Sequence, residues 1–163
     1  MRYMPTITLI LHNIRSTHNV GSIFRTAEGF GVKEIICSGY TPYPMIKDDS
    51  RLPHIAEKLT KQIKKTALDA EALVPFQHFD TIESWLDKNS LPIIALEQSD
   101  RSIPISEFTA PTEFALLLGE EVEGIEPRLL EYCQSIIEIP MLGQKESFNV
   151  SVATGIALYA ITI

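Results

Sequence analysis

Cysteine is scarce: the 163 residues hold two, Cys37 and Cys133, each in apolar surroundings and without metal-type spacing. That excludes a disulfide scaffold and a thiolate metal site, and it predicts buried, reduced thiols in a cytosolic protein. Long apolar runs are missing, so no membrane span is expected. No basic-apolar-small pattern opens "MRYMPTITLILHNI", so no secretory leader is expected and the compartment is read as cytoplasmic. A phosphate-cradling G-x-x-x-x-G-K-[ST] is absent, no G-x-G-x-x-G follows the first apolar run, and no G-x-S-x-G elbow occurs. The four histidines, His12, His18, His54 and His78, do not pair at metal-ligand spacing and read as local structural or surface groups, so no metal is expected. The missing glycine fingerprint counts against a nucleotide-dependent oxidoreductase on a doubly wound sheet.

Basic residues are also few, 14 against 21 acidic ones, for a net charge of −7. Taken alone, that argues against a nucleic-acid partner. Their distribution says otherwise. Met1 to Lys65 carries 10 basic and 5 acidic residues, a net of +5, whereas Thr66 to Ile163 carries 4 and 16, a net of −12. A polyanion can be met by the first part if folding gathers its charges on one face. Length and a 45% hydrophobic content fit a single domain over residues 1–163.

Apolar runs and helical periodicities alternate along the chain. Strands are expected at Thr6–Ile14, Lys33–Gly39, near Val74–Phe76, and in "LPIIALEQ", "EFALLLG" and "SIIEIPM". Helices are expected from Asn19 to Gly29 or Gly31, from His54 to Ala70, in "TIESWLDKN" capped by Thr81 or Asp80, in "EPRLLEYCQ", and in "FNVSVATGIALYAITI". Ile55, Leu59, Ile63 and Ala67 recur every four residues in the second helix, with Lys58, Lys61 and Lys65 on another face. Strands apolar on both faces, alternating with helices, imply an α/β domain with a mostly parallel sheet flanked by helices. The last helix has almost no polar face, which implies burial on several sides, including against a second subunit.

Three segments carry polar residues at expected strand ends: "HNIRSTHNVGSIFRT", "LLLGEEVEGI" and "IPMLGQKESFNVSVA". In parallel α/β sheets, ligands bind beyond the carboxyl ends of strands. In order and spacing the three segments resemble the motifs of the SpoU-type branch of the SPOUT RNA 2′-O-ribose methyltransferases, from Thr6 to the C-terminus with a variable middle from Thr41 to Thr112. Phe148 departs from the pattern, where leucine is commoner, and is expected to alter packing rather than chemistry.

The resemblance implies a C-terminal deep trefoil knot, a homodimer, and S-adenosylmethionine as methyl donor. It implies that the donor is held by Leu118, Gly119 and Glu121 of the second motif and Ile139, Met141, Ser147, Asn149 and Val150 of the third. It assigns catalysis to Arg25 and Asn19 with Glu121, Ser147 and Asn149, on a ribose 2′-hydroxyl of tRNA first and ribosomal RNA second. In the family that arginine is often given a general-base role. A guanidinium keeps its proton in proteins, so the role argued for Arg25 is electrostatic: it grips the substrate phosphate and stabilises the developing alkoxide. Arg15, Arg25, Lys58, Lys61 and Lys65 are the expected RNA contacts. A catalytically silent RNA-binding dimer is the alternative, and intact Asn19, Arg25, Glu121, Ser147 and Asn149 count against it.

Overall fold

A computed structural model describes residues 3–163. Seven strands form one sheet: β1 (Thr6–His12), β2 (Glu34–Ser38), β3 (Phe76–Phe79), β4 (Ile93–Leu96), β5 (Ile103–Pro104), β6 (Glu113–Leu118) and β7 (Ser135–Glu138). Their order is β3-β2-β1-β6-β4-β7-β5, and every pairing is parallel. Five α-helices cover the faces: α1 (Thr17–Gly29), α2 (Pro53–Ala67), α3 (Ile82–Leu86), α4 (Pro127–Leu130) and α5 (Val150–Thr162).

Alternation along the central strands builds the two cores. Leu9 and Leu11 of β1 and Phe114 and Leu116 of β6 pack with Ile23 and Phe24 of α1, Ile63 of α2 and Leu158 of α5. The intervening Ile10, Ala115 and Leu117 pack on the opposite face with Trp85 of α3 and Leu129 of α4. Both faces are therefore covered, which is why these strands read as continuous aliphatic runs.

Several boundaries differ from expectation for local reasons. α1 starts at Thr17 because Ser16 caps it, its hydroxyl accepting from Asn19 N. α2 stops at Ala67, where Leu68 turns left-handed. Along α2, Ile55 is exposed and Ala56 takes the buried position beside Ile63 and Ala67. Thr81, not Asp80, caps α3. The third strand lies at Phe76–Phe79, beyond the expected Val74, and β5 was not foreseen because its two paired residues carry no periodicity. α4 is one short turn, and α5 begins after Asn149 rather than at Phe148. Cys37 is buried with its thiol pushed up to about 12 by desolvation, but Cys133 is only half-buried.

α5 turns one face into the core and leaves an apolar face exposed along its other side. Thr154 and Thr162 lie on the buried side, where their hydroxyls donate to the carbonyls of Val150 and Leu158. Val152, Tyr159 and Ile163 are exposed. The apolar residues outside the core thus form a stripe along one side of the terminal helix. No helix among the described residues is long and apolar enough to cross a membrane.

Candidate active site at the carboxyl edge of the sheet

β6, β4 and β7 are neighbours, so their carboxyl ends open side by side. A cavity of about 470 Å³ lies there, walled by Leu96–Gln98 after β4, the 118–124 loop after β6, Glu138 and Ile139 after β7, and residues 146–150 leading into α5. Six glutamates line it, Glu97, Glu120, Glu121, Glu123, Glu138 and Glu146, with no lysine, arginine or histidine. Such a wall favours a cationic ligand and repels a pyrophosphate.

The loop after β6 is tightly fixed. Glu97 accepts from Ile125 N (2.8 Å) and from Gln98 N (2.9 Å), which ties the loop to the end of β4. A Cβ on Gly119 would stand 2.5 Å from Ile125 Cγ1 and 2.7 Å from the Gly124 carbonyl carbon. The turn closes only around a residue with no side chain.

Glu121 joins the three motifs. Its carboxylate accepts from Arg15 N (3.2 Å), Ser16 N (3.3 Å) and Asn19 Nδ2 (3.2 Å). Asn19 Oδ1 in turn accepts from Asn149 Nδ2 (3.2 Å), and Asn149 Oδ1 caps α5 by accepting from Ser151 N and Val152 N. An anion at the start of α1 also suits the helix dipole. Partial burial pushes the Glu121 carboxyl up, but the hydrogen bonds from Asn19, Arg15 and Ser16 outweigh it and hold the group below the usual glutamate range. Because the folded value is depressed, this contribution is complete above about 4.5, the ordinary value, and disappears as pH falls through the folded value. Denaturant titrations from neutral to acid pH should show Glu121→Gln costing about 1 kcal/mol at neutrality and converging on wild type in acid. A constant offset at every pH would refute the clamp.

Seven of the eight residues expected to hold a donor line the one cavity: Leu118, Gly119, Glu121, Ile139, Ser147, Asn149 and Val150. Met141 does not; it lies in the irregular segment beyond Pro140, outside the wall. Arg25 does not line its own chain's cavity either. It sits on the exposed side of α1 and forms no ion pair among the described residues, so the alternative pairing with Glu28 is not made. Phe148 lines the cavity at 40% exposure. Leu96, Glu97 and Gln98 were not foreseen. The signal available for them was positional, a third apolar strand ending at the same edge. Lys58, Lys61 and Lys65 are all exposed along α2, and Arg15 is exposed at the start of α1. Among the described residues no group of three His, Cys, Asp or Glu side chains could hold a metal ion.

Comparison with known proteins agrees with this geometry. The chain is 31% identical over 163 residues to a 23S rRNA (guanosine-2′-O-)-methyltransferase, RlmB, of Coxiella burnetii, matching 98% of this chain and 59% of that protein. The chain thus spans about three fifths of the length of that relative. In fold it resembles an AdoMet-bound rRNA methyltransferase from Sinorhizobium meliloti (TM-score 0.77, 21% identity, 99% of this chain and 60% of the other). It also resembles a structure concerned with 2-OH methylation of C/U34 on tRNA (TM-score 0.75, 23% identity, 95% and 93%). The model of the SpoU rRNA Methylase family matches residues 6–159, the stretch that runs from β1 through all three motifs into α5. This chain belongs to the SpoU rRNA Methylase family.

Proposed function

We propose that this chain is an S-adenosylmethionine-dependent methyltransferase acting on a ribose 2′-hydroxyl of RNA, with tRNA as first choice and ribosomal RNA second. The observation that carries the reading is the acidic cavity built from the second and third motifs and hydrogen-bonded to the first through Glu121, Asn19 and Asn149. The donor bears a sulfonium, an ammonium and a carboxylate, a net charge of +1, and a wall of six glutamates without a cation suits it. The tRNA preference is supported by the neighbour of nearly equal length, 93% covered, which concerns tRNA. The Coxiella relative, an rRNA enzyme, keeps the second choice open.

When bound, the donor supplies an already activated methyl group, so the protein's part is placement and electrostatics. Ser147 and Asn149 offer side-chain hydrogen bonds at the mouth of α5, and Gly119 lets the loop backbone come close. Arg25 holds the substrate phosphate and offsets negative charge growing on the ribose oxygen. Because Arg25 lies outside its own cavity, it serves the site of a partner chain in a homodimer. The exposed stripe of Val152, Tyr159 and Ile163 on α5 supports such a contact, since a helix this apolar needs cover on that side. The trefoil knot implied by the motifs belongs to the same reading.

Two measurements test it. Calorimetric titration should show saturable S-adenosylmethionine binding, and a chain that binds RNA but no donor would instead be the silent module. RNA affinity should fall steeply with added salt, and reversing Lys58, Lys61 and Lys65 to glutamate should flatten that slope by about three. An unchanged slope would remove α2 from the RNA path.

A further inference from the structure

The six glutamates around the cavity are not equivalent. Glu97 and Glu121 are engaged by the fold, since both oxygens of each accept from protein N–H groups. Glu120 turns one oxygen to Val122 N and Glu123 N. Glu123 and Glu146 are exposed, with their charge in solvent. Glu138 differs from all five. It is the last residue of β7, half-buried, and it lies one residue before the third motif.

Among the described residues its one side-chain donor is the Ser102 hydroxyl, 2.6 Å from Oε2. The same hydroxyl lies 2.6 Å from Ser99 O. A hydroxyl has one hydrogen and serves one of these acceptors at a time. The carboxylate therefore holds at most a share of one donor. A partly desolvated carboxylate in that state lacks most of the hydrogen bonds water would give it, and donors arriving in the cavity restore them.

The acceptor is also held still. The turn from Ser99 to Ser102 closes through Ser102 N donating to Ser99 O (3.0 Å), and Ser99 N donates to Ser102 Oγ (3.2 Å). That turn leads into β5, whose Pro104 is paired with Glu138. A carboxylate fixed by a strand end and a braced turn is a preorganised acceptor, unlike a mobile surface charge.

Its place indicates the donor it meets. β4 stands between β6 and β7, so the end of β7 is about 10 Å from the end of β6, where Glu121 ties in the first motif. In the proposed reaction RNA is met on the first-motif side, so the methyl points there and the nucleoside of the donor extends towards β7. Leu96 and Ile139 line the cavity at the ends of β4 and β7, an apolar slot for a flat base next to an acceptor for its sugar. The adjacent hydroxyls of a ribose offer two O–H groups to the two oxygens of a carboxylate. An acidic side chain is the acceptor for a nucleotide's ribose in other parallel α/β sheets.

We propose that Glu138, aimed by Ser102, accepts from the ribose hydroxyls of the methyl donor and so selects a ribonucleoside in this cavity. The inference rests on the methyltransferase reading for the identity of that donor. Glu138 is then a binding residue and Ser102 a positioning one.

The test uses the full chain, with adenosine and 2′-deoxyadenosine titrated at millimolar concentrations by ligand-observed NMR and S-adenosylmethionine by calorimetry. Wild type should bind adenosine about tenfold more tightly than 2′-deoxyadenosine, a comparison that needs no variant to fold. Glu138→Ala should weaken adenosine and S-adenosylmethionine alike, about tenfold each, and should bind the two nucleosides equally. Ser102→Ala breaks the same latch but keeps the carboxylate, so it should lose less and still prefer adenosine. Equal binding of the two nucleosides by wild type, or no saturable binding of adenosine, would overturn the proposal. So would a Glu138→Ala protein that loses S-adenosylmethionine but keeps adenosine, because the carboxylate then meets the ammonium. A Ser102→Ala protein as impaired as Glu138→Ala would reduce Glu138 to a structural latch and overturn it too. If Glu138→Ala binds S-adenosylmethionine as wild type does, the proposal fails and the methyltransferase reading stands. A chain that shows the ribose preference through Glu138 but transfers no methyl group to RNA would do the reverse.

Discussion

Arg25→Ala is expected to lower methyl transfer by about 10²- to 10³-fold while leaving S-adenosylmethionine affinity within about twofold of wild type, the signature of a lost transition-state charge. The split follows from position. Arg25 is exposed and lies off the cavity wall, so truncation removes no contact to the donor. It lies six positions beyond Asn19, about 9 Å along the helix, so α1 presents it away from the loops that Glu121 fixes. The side chain is not part of the core, so its loss should not unfold the protein. Arg25→Lys keeps the charge but loses the planar fork, and should recover only part of the rate. If Arg25 serves a partner's cavity, mixing Arg25→Ala chains with chains unable to bind the donor should restore activity in the mixed dimers. Wild-type turnover by Arg25→Ala would remove this residue from the mechanism.

Gly119→Ala should have the opposite signature, weakening donor binding and with it turnover. The added methyl meets Ile125 Cγ1 at 2.5 Å, Gly124 C at 2.7 Å and Ile125 N at 2.8 Å. Two of those three atoms are backbone, and Glu97 holds Ile125 N in place, so the strain cannot be relieved by one rotamer change. The loop must shift away from the cavity it encloses. Overpacking of this kind costs about 1–3 kcal/mol of stability, and donor affinity should fall by more than about tenfold, read by calorimetry on protein shown to be folded. Unchanged affinity would mean that the 119–125 turn does not shape the donor site.

Much of this architecture was written in local pattern. The aliphatic runs of β1, β6, β4 and β7 were legible because a strand covered on both faces needs no polar alternation. Motif order marked eight residues expected to hold a donor, and seven of them line one cavity. What the pattern could not carry was contact across the chain. Glu121 was expected to touch the donor, and its hydrogen bonds to the start of α1 depend on β1 and β6 being neighbours, more than 100 residues apart in sequence. Glu97 was invisible for the same reason, since its partner Ile125 is brought close only by the pairing of β4 with β6. Met141 shows the converse limit. Its place in the motif suggested the wall, but the segment after Pro140 leaves it outside.

The most direct test is to incubate the chain with methyl-labelled S-adenosylmethionine and separate pools of tRNA and ribosomal RNA, then digest to nucleosides. The account predicts label on a ribose 2′-oxygen, and its loss in Arg25→Ala. Label on a base, or none at all with the donor shown to be bound, would contradict it.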